Sequence, residues 1–523
     1  MTKSSTLDLP TTMEGVKIQN YINGEWVDAS TGSYIDNYNP ATGQLITPIP
    51  DSVAADVDNA VQAAKDAFPG WSGQSATSRA AILHRIADLI DENTATLASL
   101  ESQDQGKTVN LANFEIPFGA SYFRQFAEYA VEGIKEIESK SDTMVTPEST
   151  QKFEVAELNS ATQHVPAGVA ALITPWNVPL LMVCQKLAPC IAVGNTCVIK
   201  PTELTSVTPY LLTHILHAAG VPKGVVNVVF GTGINAGEPL VKHRGVRLVS
   251  FTGGSATGAK VGAAASGQFK RVSLELGGKN PSVIFSDCDF DYAVATSIRG
   301  AYQNQGEICL CASRVYVQRD LYDAFVDRFR QKVRSEIVVG NPSSSTTFYG
   351  PVISQQHVEK VTSYIRIAQQ EGAKVEFLVN ESDPNVKSIS DDGRLTIAGF
   401  EGGYFIAPTL ITDVKQSSRV VQEEIFGPVV CILPFDTEEE GIRLANDTQY
   451  GLSASVWTQD KDRLVRVQRQ LNAGSVWGNS WLNWDDRMPF GGMGSSGTSR
   501  EHGQWSLEFY TETKTLYTTT HNK

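Results

Sequence analysis

Two kinds of segment alternate along the chain from Val165 onward, and this rhythm restricts the fold more than any other feature. Short runs rich in β-branched residues stand at 169–173, 196–199, 225–229, 247–251 and 271–274, separated by helix-length stretches at 180–192, 206–219 and 257–265. Strands that alternate with helices build βαβ units around a parallel, doubly wound sheet. A second series of the same kind starts at Pro281 and continues to about Ser475, with strands at 313–317 and 429–433 and helices at 321–334 and 357–371. Inside it, the polar stretch 380–402 reads as a loop insertion. The fold class is α/β, with more than one such unit.

Before the first series, Tyr21-Ile22-Asn23-Gly24-Glu25-Trp26 reads as a strand turning at Asn-Gly. Asp56 is placed to cap a helix whose apolar face is Val57, Val61, Ala64 and Phe68. Further amphipathic helices begin near Ser78 and cover 116–134. At the other end, 513–520 is rich in Thr and Tyr and reads as an exposed strand that needs a partner.

At 523 residues the chain is too long for one hydrophobic core, so two or three domains are expected. The formal net charge is -14. Such a surface repels phosphate backbones and anionic headgroups, so neither nucleic acid nor a membrane is an expected partner. The most apolar stretch, 168–193, is interrupted by Pro175, Asn177, Pro179, Gln185, Lys186 and Pro189 and does not read as a spanning helix. The first twenty residues carry Asp8, Pro10 and Glu14 and lack an apolar run, so no secretory signal is expected. The seven cysteines are odd in number and include no CxxC pair. That argues against a disulfide framework or a metal cluster and for a reducing cytoplasm.

Five short motifs carry residues suited to chemistry. Cys309, in Gly306-Glu307-Ile308-Cys309, lies between a helix and a strand, where a thiol can face a cleft; alone, a buried structural thiol is the commoner case. Glu275 ends a strand and precedes Gly277-Gly278, which let a ligand approach the backbone; its carboxylate can take a proton, although a solvated strand-end Glu is commoner. Asn177, between Pro175 and Pro179, offers an amide for an oxyanion or an ordinary Asn turn. Lys200-Pro201-Thr202-Glu203 follows a strand, where ligands of open α/β sheets bind. Phe251-Thr252-Gly253-Gly254-Ser255 opens a helix whose first N–H groups suit a pyrophosphate, or is a plain strand-to-helix turn. Gly231-Thr232-Gly233 is only a fragment of the dinucleotide fingerprint.

The motifs TPWN, KPTE, FTGG, ELGGKNP, NQGEIC, EEIFGP and PFGG occur in that order. Together they resemble the aldehyde dehydrogenase superfamily over nearly the whole chain. The resemblance implies a Rossmann-type cofactor domain (1–141 and 164–279), an α/β catalytic domain (280–477) and a small β oligomerisation arm (142–163 and 490–523), with a homodimer or homotetramer as the assembly. It implies Cys309 as nucleophile, Glu275 as general base and Asn177 as oxyanion donor, with Arg314 completing the cysteine motif and Lys186 near the machinery. It implies NAD as cofactor, held by Ile173, Thr174, Trp176, Lys200, Glu203, Gly233, Gly237, Gly253, Gly254, Ser255, Leu276, Glu424 and Phe426. Glu203 would repel a 2′-phosphate, which disfavours NADP. No metal is implied. The chain departs from the family pattern at Gly254, usually Ser or Thr, at Glu307, commonly Gln, at Cys311, and at His357, where Gln is frequent.

The string GEICLC resembles the branch that oxidises 2-hydroxymuconate and 2-aminomuconate semialdehydes. That implies a carboxylated, unsaturated semialdehyde and a guanidinium clamp, for which Arg124 and Arg487 are the candidates. Val178 and Gln185 imply a less aromatic pocket on their side. General aliphatic or aromatic aldehyde oxidation is the alternative, and an acylating or inactive relative is less favoured because Glu275 and Cys309 are both present.

Overall fold

A computed structural model describes residues 7–134, 138–145, 154–380 and 382–520. Both series of strands form sheets. The first is eight-stranded, and its parallel centre runs Val226–Val228, Thr196–Lys200, Val169–Ile173, Leu248–Thr252, Arg271–Glu275 across the sheet. The strands near its middle are buried along their length, which explains why they read as unbroken apolar runs. Chain order reverses between Val169–Ile173 and Leu248–Thr252. In open α/β sheets that reversal leaves a crevice beyond the strand ends. The antiparallel hairpin Asn20–Ile22 and Glu25–Val27 extends one edge, turning at Asn23 and Gly24 with φ of 53° and 77°. Gly497–Thr498 closes the other edge beside Leu274 and Glu275.

The second sheet has seven strands, in the order Lys374–Phe377, Thr409–Thr412, Val429–Phe435, Arg314–Gln318, Pro281–Ile284, Ser453–Trp457, Ser475–Gly478, parallel except for the first pair. Separate apolar clusters fill the two faces of each sheet. A third sheet joins Glu138–Val145, Glu154–Pro166 and the terminal strand Thr511–Thr520. Arm and tail thus pair within the chain. Part of the arm expected at 142–163, residues 146–153, lies outside the described residues.

Two sequence readings need correction. The stretch 380–402 is largely a small antiparallel sheet of Val386–Ile389, Arg394–Ile397 and Phe400–Ile406, not a loop. Its turns use Gly393 and Gly399 at φ of 85° and 78°, and the strands are too short and polar to show a period. The helix Ala54–Ser72 is capped at Val53, not Asp56; Asp56 stands three residues in, where its carboxylate accepts the Val53 N–H and the Ser30 N–H.

The segment that carries Cys309 is held largely through its backbone carbonyls. After the helix Phe290–Tyr302 the chain turns through Asn304, Gln305 and Gly306, all with positive φ. The Asn280 amide donates to the carbonyls of Cys309 (2.7 Å) and Cys311 (2.9 Å), and its own oxygen accepts the Ser453 N–H. The Trp481 indole donates to the Leu310 carbonyl. Arg314, wholly buried, donates to the carbonyls of Lys279, Leu444 and Ala445. At Gly306 a Cβ would lie 2.2 Å from the Gly427 carbonyl oxygen, so the segment meets EEIFGP with no room for a side chain. Gly306→Ala is therefore expected to destabilise the protein by more than the roughly 1–2 kcal/mol of a left-handed alanine. A thermal or urea melt checks this; an unchanged midpoint would contradict the contact.

Candidate active site

A cavity of about 410 Å³ opens beyond the strand ends of the first sheet. Its walls include Cys309, Glu275 and Asn177, so the three expected catalytic side chains share one chamber. Each arrives from a separate element. Asn177 follows Val169–Ile173, Glu275 ends Arg271–Glu275, and Cys309 follows the turn at 303–306.

The Asn177 Nδ2 donates to the carbonyl of Glu307 (2.8 Å), two residues before Cys309. Asn304 Nδ2 donates in turn to the Asn177 carbonyl (3.1 Å). The loop and the amide thereby fix each other. Cys309 is partly exposed; burial, then the carboxylates of Glu424 and Glu275, push its thiol pKa up. Both oxygens of Glu275 are buried without a hydrogen-bond partner. Desolvation, then the Glu501 carboxylate, raises its pKa well above the usual carboxylate value. Gly491 sits where a Cβ would be 2.8 Å from Glu275 Oε1, so PFGG packs directly on that carboxylate.

Lys186 is buried beside these groups and donates to Glu501 (2.7 Å) and Ser250 (2.9 Å). Glu501 also accepts the Gln185 amide (2.7 Å). No motif marked Glu501, because it follows PFGG in a stretch whose role is set by packing alone. Glu307 was noted only as a departure. It is wholly buried and accepts from Ile353 N–H, Gln105 and Gln305 (3.1, 2.9 and 3.1 Å). His357 edges Trp176 and stands within 2.6 Å of the Phe426 carbonyl; burial lowers its pKa to about 4, so it is neutral at pH 7.

At the other end the walls are Trp176, Gly253, Gly254, Leu276, Glu424 and Phe426. Glu424 accepts the Gly278 N–H (3.0 Å), and a Cβ on Gly277 would overlap its carboxylate at 2.1 Å. Those distances explain the two glycines of ELGGK. The helix Ser255–Ser266 starts here with Gly254 as its N-cap, and a side chain at Gly254 would meet no atom within 4 Å. Ser255 donates to the Ser495 carbonyl (3.1 Å). Ile173 pairs with Lys200 across the sheet, and Thr174 leaves its hydroxyl oxygen buried and unpartnered. Lys200 bonds Glu203 (3.3 Å), and a Cβ at Gly237 would sit 3.7 Å from the Lys200 stem, so these three form a second group; Gly233 precedes Gly237 in the same tight turn.

The structure does not bring the two expected substrate arginines to the cavity. Arg124 donates to Asp88 (2.9 Å) and Asp91 (2.7 Å). On the helix Val109–Glu132 the cavity-lining residues are Phe114, Phe118 and Tyr122, spaced four apart. Arg124 is two positions past Tyr122, about 200° around the helix. Arg487 is 75% exposed and donates to Asp485 (2.8 Å). Val178 and Gln185 line the cavity and bring no ring to their side; its rings come from the helix and from the 482–502 segment.

Among the described residues no helix is long and apolar enough to cross a membrane, and no group of three metal-type side chains converges. The seven cysteines are unpaired.

Comparison with known proteins agrees with this geometry. Residues 26–516 match the model of the aldehyde dehydrogenase family. The 2-aminomuconic semialdehyde dehydrogenase of Bos taurus is 45% identical over 500 residues, 95% of this chain and 97% of that one. The 2-hydroxymuconic semialdehyde dehydrogenase of a Pseudomonas strain is 42% identical, covering 96% of this chain and 99% of that one. A crystal structure of betaine aldehyde dehydrogenase from Staphylococcus aureus in complex with NAD+ superposes with a TM-score of 0.88 at 34% identity, over 98% of this chain and 97% of that one. With a thiol, a carboxylate and an amide meeting in one chamber, and the match spanning nearly all of its length, the chain belongs to the aldehyde dehydrogenase family.

Proposed function

We propose that the protein oxidises an aldehyde to a carboxylic acid with NAD, through a covalent adduct on Cys309. The convergence of Cys309, Asn177 and the unpartnered Glu275 on one cavity carries the reading. The Cys309 thiolate adds to the aldehyde carbon, and the carbonyl oxygen becomes an oxyanion. Asn177 already spends one amide N–H on the Glu307 carbonyl; its second N–H, with the Cys309 backbone N–H, is free for that oxyanion. Bound NAD would supply the hydride acceptor, and loss of hydride from the adduct would leave a thioester on Cys309. Glu275 takes a proton from water, the hydroxide adds to the thioester, and the acid departs as the thiolate is restored.

The chain's own residues fit that cofactor. A helix start opens on the cavity at Gly253-Gly254, where anionic oxygens are favoured. Beside it, the Thr174 hydroxyl is buried without a partner. The Lys200–Glu203 pair offers a donor and an acceptor for ribose hydroxyls, with Gly237 against the Lys200 stem and Gly233 in the same turn. The superposed betaine aldehyde dehydrogenase is itself in complex with NAD+.

The substrate has two readings. The names of the relatives favour a muconate-type semialdehyde, an unsaturated chain ending in a carboxylate; Arg124 and Arg487 would have to leave their aspartates to bind it. General aliphatic or aromatic aldehyde oxidation is the alternative, and the rings among the residues lining the cavity are its support. The terminal strand Thr511–Thr520 is the outer strand of its sheet, which supports assembly through that edge as a homodimer or homotetramer. Unpaired cysteines support residence in a reducing cytoplasm.

Cys309→Ala is expected to abolish NADH formation. Glu275→Gln should keep a burst of NADH equal to the enzyme present, then slow steady turnover by about 10²–10⁴-fold. Because the Glu275 pKa is raised, its ionised form accumulates only as pH climbs past the ordinary carboxylate range, so the wild-type rate should rise with pH. The Gln variant should lose that limb; an identical limb in both would remove Glu275 from the role. Glu203→Ala should improve kcat/KM for NADP relative to NAD by about tenfold, some 1.4 kcal/mol. Sedimentation at micromolar concentration is expected to show no monomer.

A further inference from the structure

The segment Glu101-Ser102-Gln103-Asp104-Gln105-Gly106-Lys107 has no apolar side chain, and such a composition is expected at the surface. It ends the helix Thr94–Gln105 and turns at Gly106. Yet Glu101, Ser102, Asp104, Gln105 and Lys107 are each at most 2% exposed. Burying so many polar groups is costly unless they are bonded, so their partners are informative.

Two of these side chains bond the segments on which Asn177 and Cys309 stand. Glu101, with Lys107 3.4 Å away, accepts the Leu180 N–H (3.1 Å) and the Thr208 hydroxyl (2.8 Å). Leu180 lies in the first turn of the helix Pro179–Ala192, just after Asn177, and the side chain of Val178 gives that helix no cap. Gln105 donates to the Glu307 carboxyl (2.9 Å), and the Glu307 backbone carbonyl receives the Asn177 amide. The Gln105 oxygen accepts the Lys107 N–H (2.8 Å), which fixes the direction in which its amide donates.

Glu307 is the point of attachment. It follows Asn304, Gln305 and Gly306, whose φ are 51°, 48° and 75°. Two successive non-glycine residues stay in that region only where the surroundings impose it. The Glu307 carboxyl supplies that restraint by taking N–H donors from Gln105, Gln305 and the Ile353 backbone. The donors divide between its two oxygens, so an amide there would turn its own N–H groups toward one of them. Burial raises the Glu307 pKa, and both oxygens keep acceptor capacity in either protonation state.

We propose that Glu307 and Gln105 are positioning residues for the oxyanion, fixing through the Glu307 carbonyl where the Asn177 amide points. This rests on the aldehyde-oxidation reading above and assigns part of the rate of its first chemical step to two residues outside the cavity lining.

Single-turnover NADH formation tests it, at saturating NAD with enzyme in excess, using glutaric semialdehyde and benzaldehyde as carboxylated and neutral probes. Glu307→Gln should slow that turnover by about 10–100-fold, the scale of an ångström's misplacement, with the KM for NAD within about twofold of wild type. In an Asn177→Ala background the same change should cost less than about twofold more. Gln105→Glu/Glu307→Gln exchanges donor and acceptor and should recover most of the speed. The new amide then donates to the new carboxylate, and the Gln305 oxygen, which has no partner, can turn to accept as well. Full speed in Glu307→Gln, an equal slowing with and without Asn177, or no recovery in the exchange would each overturn the proposal. Should Glu307→Gln not fold, Gln105→Leu takes its place with the same expected slowing, and full speed there overturns the proposal. No NADH from either aldehyde in the wild type would overturn the oxidation reading as well; a competent wild type with unslowed variants overturns the positioning role alone.

Discussion

The site depends on one constraint, the close backbone approach of three loops around the nucleophile. Gly306 abuts Gly427, Gly277 abuts the Glu424 carboxylate, and Gly278 comes so near the Cys309 carbonyl that a Cβ would be 2.7 Å from it. The two contacts against backbone leave no room for a side chain, and one at Gly277 would have to displace the Glu424 carboxylate. They set the distance between the segment carrying Cys309, the strand end carrying Glu275 and the loop carrying Glu424. Asn280 then fixes the orientation, donating to the carbonyl of Cys309 itself and to that of Cys311. A mobile thiol would need to be ordered at every turnover; here most of that ordering is done during folding.

Within this frame the electrostatics are arranged by burial more than by pairing. Cys309, Glu275 and Glu424 are all shifted toward their protonated forms by desolvation, and each carboxylate makes the thiol harder to ionise. The free chamber is therefore a weakly charged one. Lys186 and Glu501 offset one another just behind Glu275 and keep a nearby cation from pinning the base in its ionised, less basic state. A thiol and a base so placed respond to what enters the cavity.

Much of this was legible in the sequence. The parallel strands were readable because burial on both faces leaves them mostly apolar, and Val169–Ile173 is wholly so. Cys309, Glu275 and Asn177 were readable because each sits at a strand or helix end beside glycine or proline, where local chemistry leaves a mark. The two arginines expected to form a clamp stand apart from the cavity lining for a geometric reason. Arg124 lies on the correct helix, but two residues off the face that Phe114, Phe118 and Tyr122 present. Position along a helix says nothing of direction unless the buried stripe is known. The small sheet at 386–406 was missed because short exposed strands show neither alternation nor burial. Glu501 was missed because it lies in a connecting segment, and only tertiary packing brings it to Lys186.

The strand Gly497–Thr498 carries a consequence for how the protein acquires activity. It closes the first sheet by pairing with Leu274 and Glu275, and the Leu276 N–H bonds the Ser496 carbonyl. These partners come from distant parts of the sequence, so their meeting demands closure of a very long loop. Contacts of that kind form late and slowly, after local helices and neighbouring strands are in place. During refolding the base would acquire its final surroundings only when that last strand docks. Secondary structure should therefore return well before catalysis does, and a kinetic lag between the two would mark the moment the sheet is sealed.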